Sequence, residues 1–248
     1  MSRICIVTGA GTGIGRACSL ALLEHGWTVV LAGRRPRKLE ETAALAGPAA
    51  ERALPLPTDI SRPESVEALF GEVAGRFGRL DLLFNNAGDS MPSMPFQDVP
   101  YDEWLRVVQN DVTGTFLCSQ QAFRMMASQS PMGGRIINNG APSAHVPRPD
   151  SVPFTVTKHA ILGLTRALSL DGRQYDIACG QIDFGNVAPF DGAPQQPASQ
   201  ADGTLKTEAT IDVKHVADTV VMMASLPLGA NVQYVTLLPT RMPYVGRG

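Results

Sequence analysis

The sequence predicts a doubly wound α/β protein, a seven-stranded parallel sheet with helices on both faces, folded as a single domain over residues 1–248. Three observations lead there. Short apolar runs alternate with amphipathic stretches along the chain. Those apolar runs are too continuous to leave one face wet, which is the mark of strands covered on both sides. A glycine-rich turn joins the first apolar run to the first helical pattern, as in folds that bind a nucleotide at that junction.

The elements follow in order. "RICIVT" reads as the first strand, with a helix from about Gly13 to His25, and "WTVVLA" as the second, with a helix from Pro36. The weaker "ALPLP" precedes a helix opened by Ser61-Arg62-Pro63-Glu64, read as a capping box with proline in the first turn. "LDLLFNN" is a strand, Asp102 to Ser128 one long helix, "GGRIINNG" a strand, and Ser151 to Leu170 a helix. "DIACGQID", a helix from Val213 to Ala224 and the strand "VQYVTLL" complete the series. Right-handed crossovers between parallel strands turn this alternation into a doubly wound sheet. Residues 188–210, rich in Pro, Gln, Ala, Asp and Gly, are expected to form a mobile loop over a substrate site.

Composition narrows the function classes. A net charge of −2 and a longest basic run confined to residues 34–38 do not suit a nucleic-acid binder. No segment has the length and apolarity of a membrane span, and no leader pattern opens the chain, so a cytoplasmic protein is expected. Cys5, Cys18, Cys118 and Cys179 lie far apart in apolar segments, which predicts buried free thiols and no metal site.

The turn "TGAGTGIG", Thr8 to Gly15, brings backbone close to a bound anion, and the helix start behind it favours negative charge. A glycine turn alone is equally a tight turn; the strand before it and the helix after it favour the pyrophosphate reading. At the end of the second strand, where a carboxylate would hold a ribose 2′-hydroxyl, Gly33 is followed by Arg34 and Arg35. Guanidinium groups suit a 2′-phosphate, so NADP(H) is the expected cofactor, with a solvated basic loop as the plainer reading.

Together Thr8-Gly9-x-x-x-Gly13-Ile14-Gly15, Asp59, Asn85-Asn86-Ala87-Gly88, Asn110 and Lys158, in this order, resemble the classical short-chain dehydrogenase/reductase family with its Rossmann-like fold. The resemblance implies that Gly9, Thr12, Gly13 and Ile14 lie along the cofactor and that Asp59 and Ile60 meet the adenine. It implies that Asn86, Ala87 and Gly88 pass under the adenine ribose, and that Lys158 and Val187 reach the nicotinamide end. A homotetramer built partly from the Asp102 and Ser151 helices is implied as well, acting on a small-molecule substrate.

In this family a tyrosine protonates the substrate carbonyl oxygen while NADPH delivers hydride. A lysine four residues later tunes it, a serine thirteen residues earlier holds the carbonyl, and an asparagine organises a water relay. Positions i and i+4 share a helix face, which suits an ammonium beside a phenol. Counting back from Lys158 gives Phe154, and from Phe154 gives Ala141, so both hydroxyls are missing while Asn110 and Lys158 stand. Each departure deletes an oxygen and keeps the shape.

Ser143 is a displaced stand-in for the serine or an ordinary loop residue. His145 is a proton source near neutral pH or a structural histidine. Phe184 adds to an apolar pocket, and with Pro189 it departs from the usual amide-holding turn.

Losing a general acid costs about 10² to 10⁴ in rate, so reduction of simple ketones is expected to be feeble. An iminium substrate needs no proton on its electrophilic atom. The leading expectation is therefore an NADPH-dependent reductase of imines or similarly activated substrates. The alternatives are a ketone reductase or alcohol dehydrogenase disabled at two positions and a non-catalytic NADPH-binding protein.

Overall fold

In a computed structural model, the chain is described over residues 3–89, 93–190, 192, 195 and 197–245. In chain order it runs β1 (Ile4–Thr8), α1 (Gly13–Glu24), β2 (Thr28–Gly33), α2 (Pro36–Leu45), β3 (Ala53–Pro57) and α3 (Pro63–Phe77). Then come β4 (Leu82–Asn85), α4 (Tyr101–Val107), α5 (Gly114–Ser128), β5 (Gly134–Asn139), α6 (Val152–Asp171) and β6 (Ile177–Phe184). A small antiparallel pair, β7 (Ala198–Ser199) and β8 (Leu205–Lys206), precedes α7 (Val213–Ser225) and β9 (Tyr234–Leu237).

The seven-stranded sheet has the order β3-β2-β1-β4-β5-β6-β9, and every neighbouring pair is parallel. One apolar layer packs α1 and α7 on one face through Cys18, Leu22, Val216 and Val220. The other packs α3 and α5 through Val66, Leu69, Cys118 and Ala122. Fully buried strand residues such as Ile6, Leu31 and Phe84 each contribute roughly 1.5–3 kcal/mol by leaving water. Pro55 and Pro57 are tolerated in β3 because it is an edge strand, where a missing N–H donor breaks no ladder on its outer side.

The strand order reverses between β1 and β4, which opens a crevice at the C-terminal ends of the central strands. No helix among the described residues is long and apolar enough to cross a membrane. The loop expected over residues 188–210 includes the β7–β8 pair; its Asp191, Ala193, Pro194 and Gln196 lie outside the described residues.

Two local expectations are corrected. The capping box does not form: Pro63 is the first helical residue of α3, so Arg62 becomes the N-cap and contributes no side-chain cap. Ser61 is left one position too early, and its hydroxyl donates instead to Asp59 Oδ1 at 2.7 Å. The long helix from Asp102 is interrupted by a π-helical stretch over Val108–Thr113. Two consecutive polar residues, Asn110 and Asp111, are buried within this wider turn. Just beyond it, Gly114 lets the helix approach Ile60 so closely that a Cβ would meet that side chain at 2.7 Å.

Candidate active site

The crevice begins where β1 turns into α1. Thr8 Oγ1 accepts from the backbone N–H groups of Asn86 and Ala87, each at 3.0 Å, and Asn86 Nδ2 donates to the Thr8 carbonyl at 2.9 Å. These bonds lash the turn after β4 to the end of β1. Gly9 takes a left-handed φ of 68°, and Gly15 has no space for a side chain: a Cβ would lie 2.2 Å from the Gly9 carbonyl oxygen. Thr12 caps α1 without a side-chain hydrogen bond, so the first N–H groups of the helix have no side-chain acceptor there. That leaves an anion-favouring helix end facing the crevice.

Arg34, Arg35 and Lys38 line the same end. Arg35 donates to Thr12 Oγ1 at 3.2 Å, while Arg34 pairs with Asp89 at 3.2 Å. Asp89 also pairs with Arg106, so one carboxylate meets two guanidinium groups at the crevice wall.

From here the crevice continues as a cavity of about 900 Å³ along the ends of all the central strands. It brings together Gly9, Thr12, Ile14, Ile60, Asn86, Ala87 and Gly88 with Asn110, Ala141, Ser143, Phe154, Lys158 and Phe184. Gly13, Asp59, Val187 and His145 are not among its lining residues. Gly13 opens α1 with φ 53°; Asp59 is turned to Ser61; Val187 bridges to Ile211 beside the loop. His145 directs Nε2 away to Asp183 Oδ2 at 3.0 Å.

At the inner end, α6 carries Phe154 and Lys158 on one face. Lys158 is 7% exposed, its Nζ donates to the Asn139 carbonyl at 2.9 Å, and it lies 5.4 Å from the Phe154 ring centre. Burial pushes the ammonium below its ordinary pKa, opposed by the Asp111 and Asp183 carboxylates. Asp111 Oδ1 accepts from the Asp89 N–H at 2.8 Å and from Asn110 Nδ2 at 3.2 Å. Its Oδ2 is buried without a hydrogen-bond partner, and burial raises the carboxyl above its ordinary pKa. Ala141, 5% exposed, offers only a methyl at the end of β5.

Beneath the cavity a buried chain of hydrogen bonds crosses three strands. Asn85 Nδ2 donates to Ser119 Oγ and to Asn138 Oδ1, both at 2.9 Å. Asn138 Nδ2 donates to Thr165 Oγ1 at 2.9 Å, Thr165 to Gln181 Oε1 at 3.0 Å, and Gln181 Nε2 to Asp183 Oδ1 at 2.8 Å. His145 closes the chain at the surface. Gly140 is fitted against it, since a Cβ there would lie 2.0 Å from Asp183 Oδ1.

On the outer rim Arg148 Nη2 donates to Glu208 Oε2 and Asn186 Oδ1, at 2.8 and 2.9 Å. Asn186 Nδ2 also donates to Glu208 Oε2 at 2.8 Å, so a nearly buried carboxylate from the loop segment is clasped to the cavity wall.

Sequence reasoning passed over Asp111, Asn139 and the Arg148–Glu208 pair. Asp111 could have been noticed as a charge beside Asn110 in an apolar helix. Asn139 contributes a carbonyl, which every residue has, and the Arg148–Glu208 pair spans sixty positions of chain.

The sequence model for short chain dehydrogenases matches residues 3–197. An oxidoreductase of Escherichia coli strain K12, YohF, is 36% identical over 221 residues, covering 88% of this chain and 85% of that protein. The solved acetoin dehydrogenase YohF of Salmonella typhimurium has a TM-score of 0.81 and 30% identity, covering 96% of both chains. A 3-ketoacyl-(acyl-carrier-protein) reductase of Brucella melitensis, solved with NADH, shares the fold with a TM-score of 0.81. Its identity is 23%, with 95% of this chain and 96% of that one covered. The chain belongs to the short-chain dehydrogenase family, a family of oxidoreductases.

Proposed function

We propose that this chain is an NADP(H)-dependent reductase with an altered active site, in which Ala141 and Phe154 stand at the family's serine and tyrosine positions. Its substrates are imines, iminium ions or similarly activated C=X groups. The observation that carries the reading is the pairing of Lys158 with Phe154: the ammonium faces a ring with no hydroxyl, and the methyl of Ala141 lines the same cavity.

The residues suit a dinucleotide. The Gly9–Gly15 cradle would be filled by any Cβ at Gly15, the uncapped start of α1 favours a pyrophosphate, and Arg34 and Arg35 suit a 2′-phosphate. Gly9, Thr12 and Ile14 would hold the diphosphate, Asn86, Ala87 and Gly88 the adenine ribose, and Lys158 the nicotinamide ribose. When bound, such a cofactor supplies hydride to an electrophilic carbon.

The chain's own residues orient the substrate and exclude water through Phe154, Phe184 and the Arg148–Glu208 clasp, with Ser143 and Asn110 among the polar groups that line the cavity. Without a phenol, reduction of a simple ketone loses about 10² to 10⁴ in rate, or roughly 3–5 kcal/mol of barrier. An activated C=N group avoids much of that loss. Exposed Leu105, Phe116 and Val156 on α4, α5 and α6 support assembly with further copies of the chain as a homotetramer.

The test is NADPH oxidation with a panel of ketones and a panel of cyclic imines, for this chain and for Ala141→Ser with Phe154→Tyr. Imine turnover by the native chain, with ketone turnover gained by the double variant, is expected. No imine turnover together with restored ketone turnover would replace the reading with a disabled ketone reductase, in keeping with the acetoin dehydrogenase likeness. Binding without turnover in either would make the chain an NADPH-binding protein.

A further inference from the structure

We infer that Asp111 is a positioning residue for Lys158: its buried carboxyl holds the charge on the Lys158 ammonium, and that ammonium is the proton source of the pocket. The inference rests on the imine reading above and adds to it a donor that comes from within the chain.

Asp111 and Lys158 are 3% and 7% exposed and line one cavity. Asp111 keeps one oxygen, Oδ2, buried and unpartnered. Lys158 Nζ spends one donor on the Asn139 carbonyl and lies over the ring of Phe154, the side chain that elsewhere in the family would carry the acid. The other charges around the pair are few. Asp183 faces Lys158 from β6 and is itself bonded by Gln181 and His145; Asp89 faces Asp111 from the turn after β4 and is paired with Arg34 and Arg106.

An iminium ion arrives with its charge, whereas a neutral imine must take up a proton before it accepts hydride. An N–H bond of Lys158 breaks, an N–H bond forms at the imine nitrogen through its lone pair, and the electron pair left behind makes Lys158 a neutral amine. One positive charge passes from lysine to substrate, nothing is oxidised or reduced in the step, and the carbon is then ready for the hydride that the cofactor supplies. Solvent reprotonates Lys158 after release.

Burial lowers the pKa of Lys158 and so makes it a better donor near neutral pH, while the Asp111 carboxylate keeps it protonated until substrate arrives. Neutralising Asp111 must therefore move Lys158 further down.

The chain has four lysines, Lys38, Lys158, Lys206 and Lys214, so protein carrying ε-¹³C lysine gives a spectrum that can be assigned by Lys158→Arg. Lys158 is expected to titrate below the ordinary lysine range, and in Asp111→Asn, which keeps the Oδ1 acceptor, its acid constant should rise by about tenfold or more. Asp111→Ala read the same way is the second variant. An unchanged Lys158 titration in either folded variant overturns the coupling.

The alkaline limb of the pH profile for cyclic-imine turnover should fall with the spectroscopic shift and return in Asp111→Glu. A limb that stays while the resonance moves overturns Lys158 as donor. If the native chain reduces no imine, the substrate reading fails, and the titration still decides the coupling.

Discussion

Lys158 and Phe154 stand one turn apart on α6 with the ammonium 5.4 Å from the centre of the ring. Such a contact contributes about 0.5–2 kcal/mol, depending on how far water is excluded. A hydroxyl added to that ring would lie close to a fixed positive charge. The phenol of Phe154→Tyr is therefore expected to ionise below its ordinary value of about 10, read by ultraviolet difference titration against the native chain. A phenol titrating at or above the ordinary value would mean that the ring and ammonium are not held together.

The contact of Gly15 with Gly9 leads to a second expectation. In Gly15→Ala the new methyl would lie 2.2 Å from the Gly9 carbonyl oxygen and would have to push that carbonyl aside, and with it the turn lashed to Asn86. Overpacking of this kind costs about 1–3 kcal/mol. The urea midpoint should fall accordingly, and NADPH binding followed by fluorescence should weaken far more than that of a variant such as Gly75→Ala, where a Cβ meets nothing within 4 Å.

Arg34 and Arg35 bear on cofactor choice. Arg35→Ala should weaken NADPH binding by roughly 10- to 100-fold, the scale of a lost hydrogen bond to a charged group, and leave NADH binding nearly unchanged. Arg34→Ala should act less strongly, because Arg34 is already committed to Asp89. Equal losses for both cofactors would point to a general electrostatic effect.

The four thiols are buried, and burial pushes Cys18, Cys118 and Cys179 up to about 12. In the unfolded chain they ionise near their ordinary value of 9.0. The unfolded state thus loses protons first, so the stability these thiols contribute is complete below that value and declines as pH rises towards the folded one. Denaturant midpoints should drop over this alkaline range, and Cys118→Ala should lessen the drop. Dithionitrobenzoate should label native protein only as fast as it opens.

The clasp on the rim can be broken singly. Arg148→Ala leaves the nearly buried Glu208 carboxylate without one of its donors, and breaking such a pair typically costs about 3–5 kcal/mol locally. The expected result is faster limited proteolysis within residues 188–210, with the core sheet unaffected.

The sheet was legible because its strands are continuous apolar runs and its turns carry glycine, and both are local signals. Gly9, Asn86 and Lys158 were legible because their positions in an ordered series of motifs match a family. Asp111 was not, since it belongs to no motif of that series and a carboxylate in a helix is ordinarily solvent-facing, whereas here it is 3% exposed. The capping box was misread because Pro63 fixes the start of α3 one residue later than the Ser61 pattern suggests. His145 was placed at the pocket from proximity in sequence, whereas its ring is drawn to Asp183, a partner thirty-eight positions away.

The hydrogen-bonded chain from Ser119 to His145 divides the pocket into a floor and a rim. The floor's amides and hydroxyls bond to one another in series, so a single replacement strands a neighbour in a dry interior. Floor residues can change only in concert, while Ala141, Phe154 and Phe184 above them can change one at a time. Whoever wishes to retrain this protein on another substrate has a fixed foundation and three interchangeable panels to work with.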